Sequence, residues 1–219
     1  STTNYNDSVM LRCTNPIGVN PAPNYTINIT PYMNMYVNLY NNTDNYYYHE
    51  RCEAGKTYTV PYPADEADFI YIRGASKIQS FGDLSLLYLQ QALLGSAEKL
   101  KDLIIGNESS TYSNPSLTTL EFKSNPLLEK IDIRNTSFAS PLDLTTLQHL
   151  KELYTEGSNV TAVSFANNGI LEIAKLNAVS SLNMKNLLFI KDFTLESYNN
   201  LTSLFYENCY IDKDQVDEV

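Results

Sequence analysis

Tryptophan is absent from this 219-residue chain, histidine occurs only at His49 and His149, and there are three cysteines and eight glycines. Two histidines, with Cys52 the one cysteine near either, fall short of the four or so ligands at defined spacing that a zinc site needs. Glycine is too scarce for a phosphate-cradling loop, and no Gly-x-Ser-x-Gly nucleophile elbow or cysteine in a catalytic setting is present. Cations are scarce as well. Fifteen Lys and Arg stand against 25 Asp and Glu, for a net charge of -10. They form no basic stripe, which argues against a nucleic-acid or anionic-membrane partner. No run of 18 apolar residues occurs, so no helical membrane insertion is expected. The start at Ser1 shows no basic segment leading into an apolar one. The end, Asp212 to Val219, carries no turn signal. Both features are expected of a mature product or of a piece of a longer chain.

Three cysteines are an odd number. Cys13 and Cys52 either pair or stay free and buried, and the second is the expectation. Cys209 reads as a structural thiol. Hydrophobic residues at 43% and charged residues at 18% describe a chain that folds and buries a core.

What the chain has in excess is tyrosine, 17 in all. The first 74 residues hold many of them in short alternating runs. Tyr25 to Thr30 alternates with period two. From Tyr32 to Tyr40, Met33, Met35, Val37 and Leu39 share one face, and Tyr32, Tyr36 and Tyr40 the other. Asn41 to Asn45 is a turn, Tyr46-Tyr47-Tyr48 begins the return strand, and Phe69-Ile70-Tyr71-Ile72 closes the region. Residues 1–74 are therefore expected to form a small antiparallel β-domain, sandwich-like. Tyr32, Tyr36, Tyr40, Tyr46 and Tyr48 are its candidate interaction surface, because flat rings with polar tips suit sugars and proteins. The same alternation also serves cross-strand packing on a half-buried sheet.

Residues 75–211 read differently, with a short acidic tail at 212–219. The stretch from Asp83 to Leu89 is either a first coil or a helix capped by Asp83 and ended at Gly95. From Leu100 an apolar triad at i, i+3 and i+5 keeps returning. Leu117/Leu120/Phe122 is closed by Asn125, and Leu201/Leu204/Tyr206 by Cys209. Leu128/Ile131/Ile133 and Leu150/Leu153/Thr155 are further copies, 22 residues apart, with the degenerate copy Pro141-Leu142-Asp143-Leu144 between them. Strand residues i+3 and i+5 point the same way, so each copy is a short strand and two copies make one coil of about 22 residues. Coils of this kind bury their triads only against their neighbours. Outward positions such as Glu121, Lys130, Asp132, Glu152, Tyr154 and Lys191 mix both signs of charge. The fold class expected is mainly β: a small antiparallel domain followed by a solenoid with two short strands per coil.

Leu-x-x-Leu-x-Phe-x-x-Asn125 and Leu-x-x-Leu-x-Tyr-x-x-Cys209 resemble the leucine-rich repeat consensus, in the short form without a convex helix. The runs from Leu100 to Asn107, from Asn125 to Asn135, and Tyr198-Asn199-Asn200-Leu201-Thr202-Ser203-Leu204 also resemble a repeat block in large virion structural proteins of gut bacteriophages and prophages. The likeness covers roughly residues 65–210. It carries no active-site motif. It implies a non-enzymatic part of a tail or fibre in the virion, serving as a rigid spacer and host-recognition element without a cofactor. Its partners would be other virion proteins, the rest of a longer chain, or a host surface glycan or protein, and a homo-oligomer is compatible with it. The alternative is a fragment of a bacterial cell-surface adhesin, and a weaker third is a carbohydrate-active accessory domain. His49-Glu50-Arg51-Cys52 is expected as a turn beside a strand and not as a metal site, and Asp65, Glu66 and Asp68 as a solvated loop.

Overall fold

The structure is a computed structural model that describes residues 6–13, 25–40, 46–62, 69–85, 87–122, 125–211 and 216–218. The turn expected at 41–45 and the carboxylates Asp65, Glu66 and Asp68 lie outside the described residues. The first strands are β1 (Ser8–Cys13), β2 (Tyr25–Pro31), β3 (Met35–Tyr40), β4 (Tyr46–Cys52), β5 (Tyr58–Tyr62), β6 (Phe69–Arg73) and β7 (Ile78–Ser80). They pair antiparallel, in the orders β1-β6-β3-β4 and β5-β2-β7. Alternation sets their faces: Val9 and Leu11, Val37 and Leu39, Ile70 and Ile72 are all fully buried. The strand expected from Tyr32 starts instead at Met35. Tyr32, Met33 and Asn34 form a bend, and Met33 is exposed there. His49-Glu50-Arg51-Cys52, expected as a turn, instead lies within β4, paired with β3 from Asn38 to Met35.

Among the described residues the helix weighed from Asp83 to Gly95 does not form, and one short 3-10 turn spans Ala75–Lys77. Asp83 bridges to Ile104, and β8 (Leu89–Leu93) pairs antiparallel with β1. The strand β10 (Thr119–Glu121) then adds to β8 in parallel. One sheet, β10-β8-β1-β6-β3-β4, thus runs from the antiparallel part into the repeats. A single apolar core extends from Val9 to Phe193.

The repeats form a parallel β-solenoid of about four turns, around 22 residues apart. One wall consists of β9 (Asp102–Ile104), β11 (Lys130–Asp132), β13 (Glu152–Tyr154), β15 (Ile173–Leu176), β17 (Asp192–Leu195) and β19 (Val216–Glu218). The other consists of β12 (Leu142–Asp143), β14 (Ala162–Phe165), β16 (Ser181–Lys185) and β18 (Ser203–Glu207). Inward residues align in columns. Leu103, Ile131, Leu153, Ala174 and Phe193 form one. Leu142, Val163, Leu182 and Leu204 form another. The degenerate copy at Pro141 is therefore a true rung. Val216–Glu218, in the acidic tail, pair with Phe193 to Leu195 as a further strand of the solenoid wall.

Most repeat positions face the core. Leu117, Leu128, Ile131, Ile133, Leu150 and Leu153 are at 0% exposure, and Asn125 is buried with them. Leu120, Phe122, Leu201 and Cys209 are partly buried against the core. Leu204 departs from the pattern at 57% exposure, because nothing among the described residues stacks on β18.

Two polar devices close the coils. Buried asparagine amides tie the bends. Asn168 Nδ2 donates to the carbonyls of Leu144 and Leu147, both at 2.8 Å, and its Oδ1 accepts from the Ala166 N–H. Asn125 Nδ2 donates in the same way to Leu94 and Ala97, and Asn114 Nδ2 to Leu84 and Ile105. Thr155, the one polar member of the triads, donates from Oγ1 to Asn177 Oδ1 at 2.9 Å and accepts from the Asn177 N–H. The second device sits just before the strands. Two successive N–H groups donate to one carbonyl of the preceding coil: Lys151 and Glu152 to Glu129, Ser180 and Ser181 to Thr161, Thr202 and Ser203 to Ser180.

Leu153→Ala is expected to cost about 2–5 kcal/mol, the usual result of emptying a packed core site. Asn168→Ala should cost roughly 1–3 kcal/mol by stranding buried carbonyls. Urea unfolding followed by circular dichroism measures both, with the exposed Leu204→Ala as a control expected within about 0.5 kcal/mol of wild type.

Candidate interaction surfaces

The tyrosine face is smaller than its sequence suggests. Tyr32 and Tyr36 are exposed at 53% and 56%. Tyr36 stacks on His49 with ring centroids 5.1 Å apart, and the His49 Nδ1 meets Asn38 Oδ1. Lys99 Nζ lies 5.0 Å from the Tyr32 ring centroid. Tyr40 is corrected from surface to core at 2% exposure. The Arg73 guanidinium lies over its ring, Tyr71 stacks beside it, and its hydroxyl meets Ser8 Oγ. Tyr48 is partly buried, and burial with the Cys52 thiol beside it pushes its hydroxyl up to about 12. Tyr46 shares the strand and pairs by backbone with Tyr40. Cross-strand packing thus takes Tyr40 and Tyr48, and the structure leaves Tyr32 and Tyr36 in contact with solvent.

The wall built on β9 to β17 carries charge in register. The positions just before its strands run Lys101, Glu129, Lys151, Glu172, Lys191, each backbone N–H donating to the carbonyl of the one before. Lys151 Nζ reaches Glu129 at 3.2 Å and Lys191 Nζ reaches Glu172 at 3.2 Å. Exposed pairs of this kind are worth about 0–1 kcal/mol each. One rung in, Asp132 is buried, not outward as expected, because Arg134 Nη2 holds it at 2.8 Å. Arg134 also lies over the Tyr154 ring, whose hydroxyl donates to Glu152 at 2.8 Å. These groups answer one another, so the wall presents a closed charge lattice.

Two carboxyls on this wall are pushed up, chiefly by burial. Asp102 is raised further by Glu129 and Glu152, against Lys130 and Lys101. Glu156 is raised further by Glu196 and Asp132, against Arg134 and Lys175. Among the described residues no three His, Cys, Asp or Glu side chains gather as metal ligands. None of the three cysteines is in a disulfide. Cys13 and Cys52 are buried, and burial raises the Cys52 thiol, whereas Cys209 is half-buried.

A cluster of exposed apolar residues lies elsewhere, at the last coils. All five residues of β18 are exposed. Leu204, Phe205 and Tyr206 stand at 57%, 48% and 51%, with Phe189 at 61% and Tyr210 at 67% nearby in the chain. Leu204 occupies the same column as Leu182, which is 2% exposed under the next rung. Sequence reasoning missed this surface because the triad itself looks like any other. The signal was positional: no described strand pairs with β18 beyond Ser181–Lys185, so the exposure of Leu201/Leu204/Tyr206 turns on stacking and not on the triad itself. Comparison with protein-family models, curated proteins and solved structures returned no match.

A carboxyl whose folded pKa exceeds its unfolded one favours folding most below the unfolded pKa and loses that advantage as pH rises through the folded value. Glu156→Gln should therefore reduce the fall in melting temperature as pH rises above the ordinary glutamate range, read by thermal scans upward from about pH 4.5. Thiol titration with a disulfide reagent should modify Cys209 in the native chain, and Cys13 and Cys52 only after unfolding.

Proposed function

We propose that this chain is a non-enzymatic structural and interaction module, in which the solenoid is a stiff spacer and the coil ending in β18 is its contact face. The observation that carries this reading is the exposed column end. Leu204 and Tyr206 continue columns that are buried one rung earlier at Leu182 and Met184. Contiguous exposed apolar surface marks an interaction site far more often than isolated residues do. Tyr206 and Tyr210 add rings with polar tips, which suit a contact that is wet at its rim. The stacked coils favour stiffness, since each is held to the next by backbone ladders along both walls. Placement in a phage tail or fibre rests on the resemblance of the repeats, and host recognition follows from that placement.

The test is a binding assay of the chain on a glycan array and on bacterial cell surfaces. Saturable binding lost in Leu204→Lys/Phe205→Lys/Tyr206→Lys, and kept in Tyr36→Ala, is the expected result. Loss in Tyr36→Ala alone would move recognition to the tyrosine face. Turnover of any glycan on the array would overturn the non-enzymatic reading.

A further inference from the structure

The second solenoid wall is broken at one place. Leu120 in β10 and Leu142 in β12 are 22 residues apart, the spacing of adjacent rungs. Yet β10 is the edge of one sheet and β12 the edge of another, and no ladder joins them. The opposite wall continues without a break from β9 through β11 to β13.

The cause is local and written in the sequence. In the neighbouring coils the apolar bend residue precedes the inward strand residue by three, as in Val160/Val163, Val179/Leu182 and Leu201/Leu204. In this coil Phe138 precedes Leu142 by four, so one residue is inserted. The residue just before the strand is Pro141. Ser181 and Ser203 hold that place in later coils, and their N–H groups donate to the coil before. Proline has no N–H to give, and it belongs to strand edges for that reason. The wall therefore parts, leaving a cleft of about 580 Å³. Leu120, Phe122, Phe138, Leu142 and Leu147 supply its apolar lining. Glu121 and Asp143 stand on it exposed. Asp143 is held as a carboxylate by the hydroxyl and N–H of Thr145. No described lining residue is basic.

We propose that this cleft is a docking site for an extended peptide segment of another protein, carrying an apolar side chain flanked by Lys or Arg. Three features select that occupant. Two strand edges bound one cleft, and an extended backbone is the partner that can pair with such edges. The lining takes an apolar side chain, and the volume is in the range of ordinary ligand clefts. The two carboxylates ask for cations. They disfavour this chain's own acidic segment at 212–218 and a second copy with its net charge of -10. The site lies at the other end of the second wall from β18, so it stands or falls separately from the contact face proposed above.

The experiment is selection of a random heptapeptide display library on the full chain, followed by fluorescence anisotropy with the enriched peptides. The expected result is enrichment of sequences with an apolar residue between basic ones. Glu121→Lys/Asp143→Lys should weaken their binding about tenfold or more. The Asp143 change also removes the Thr145 hydrogen bonds, so Glu121→Lys alone, at an exposed side chain, is the variant expected to weaken binding without lowering the melting temperature. Thr146→Trp, which fills the cleft from an exposed position, should also abolish binding and serves if the charge-reversed variant folds poorly. Hydrogen exchange should show new protection at Thr119–Glu121 and Leu142–Asp143 when peptide is present. The proposal is overturned by no enrichment above an unrelated protein, by acidic or patternless peptides, or by binding indifferent to these variants. Self-association of the wild type that the charge reversal removes would assign the cleft to a second copy, and would overturn it too.

Discussion

Burial in this protein is borrowed from the neighbouring rung. A coil of about 22 residues has two short strands and a handful of inward side chains, and alone it cannot keep them from water. Leu153 is dry because Ile131 and Ala174 lie on either side of it. The antiparallel strands at the front serve the same end. β1 pairs with β8, and through it with β10, so the first coils lie against a finished sheet. Where no described strand stacks, as on β18, the apolar residue shows.

The dependence on neighbours explains where polar groups are tolerated inside. Bends at each corner leave carbonyls pointing inward, and a buried carbonyl without a partner is costly. The amides of Asn114, Asn125 and Asn168 each meet two of them. Thr155 and Asn177 solve the same problem as a pair across one step of the solenoid. These are fixed by position in the coil, and a larger apolar residue there would gain area and strand the backbone.

How much of this was legible in the sequence depends on what each feature rests on. The triads at i, i+3 and i+5 encode side-chain direction, which is local, so the strands, the coil length and the inward columns could be read directly. Direction is not burial. Leu204 has the right direction and no cover, and Tyr40 has the outward direction and is covered by Arg73 and Tyr71. Tyr32 was placed on a strand because alternation continues through it, although the chain bends there before β3. Asp132 looked like a surface carboxylate until Arg134, two residues on, folded over it. The break at Pro141 passed as a weak copy of the repeat, since its cause is one inserted residue and one missing N–H, which hydrophobic periodicity does not register. No site residue could be read from chemistry-bearing motifs, and the surfaces that emerged depend on which rungs have neighbours.

The alternating column Lys101, Glu129, Lys151, Glu172, Lys191 bears on how such a solenoid can change its length. Removing any one interior rung sets lysine on lysine or glutamate on glutamate, and like charges directly opposed on a sheet are unfavourable. Removing two adjacent rungs restores the sequence of signs. The column acts as a parity check on the number of coils. Duplication or deletion in this part of the chain is electrostatically silent in even steps and penalised in odd ones.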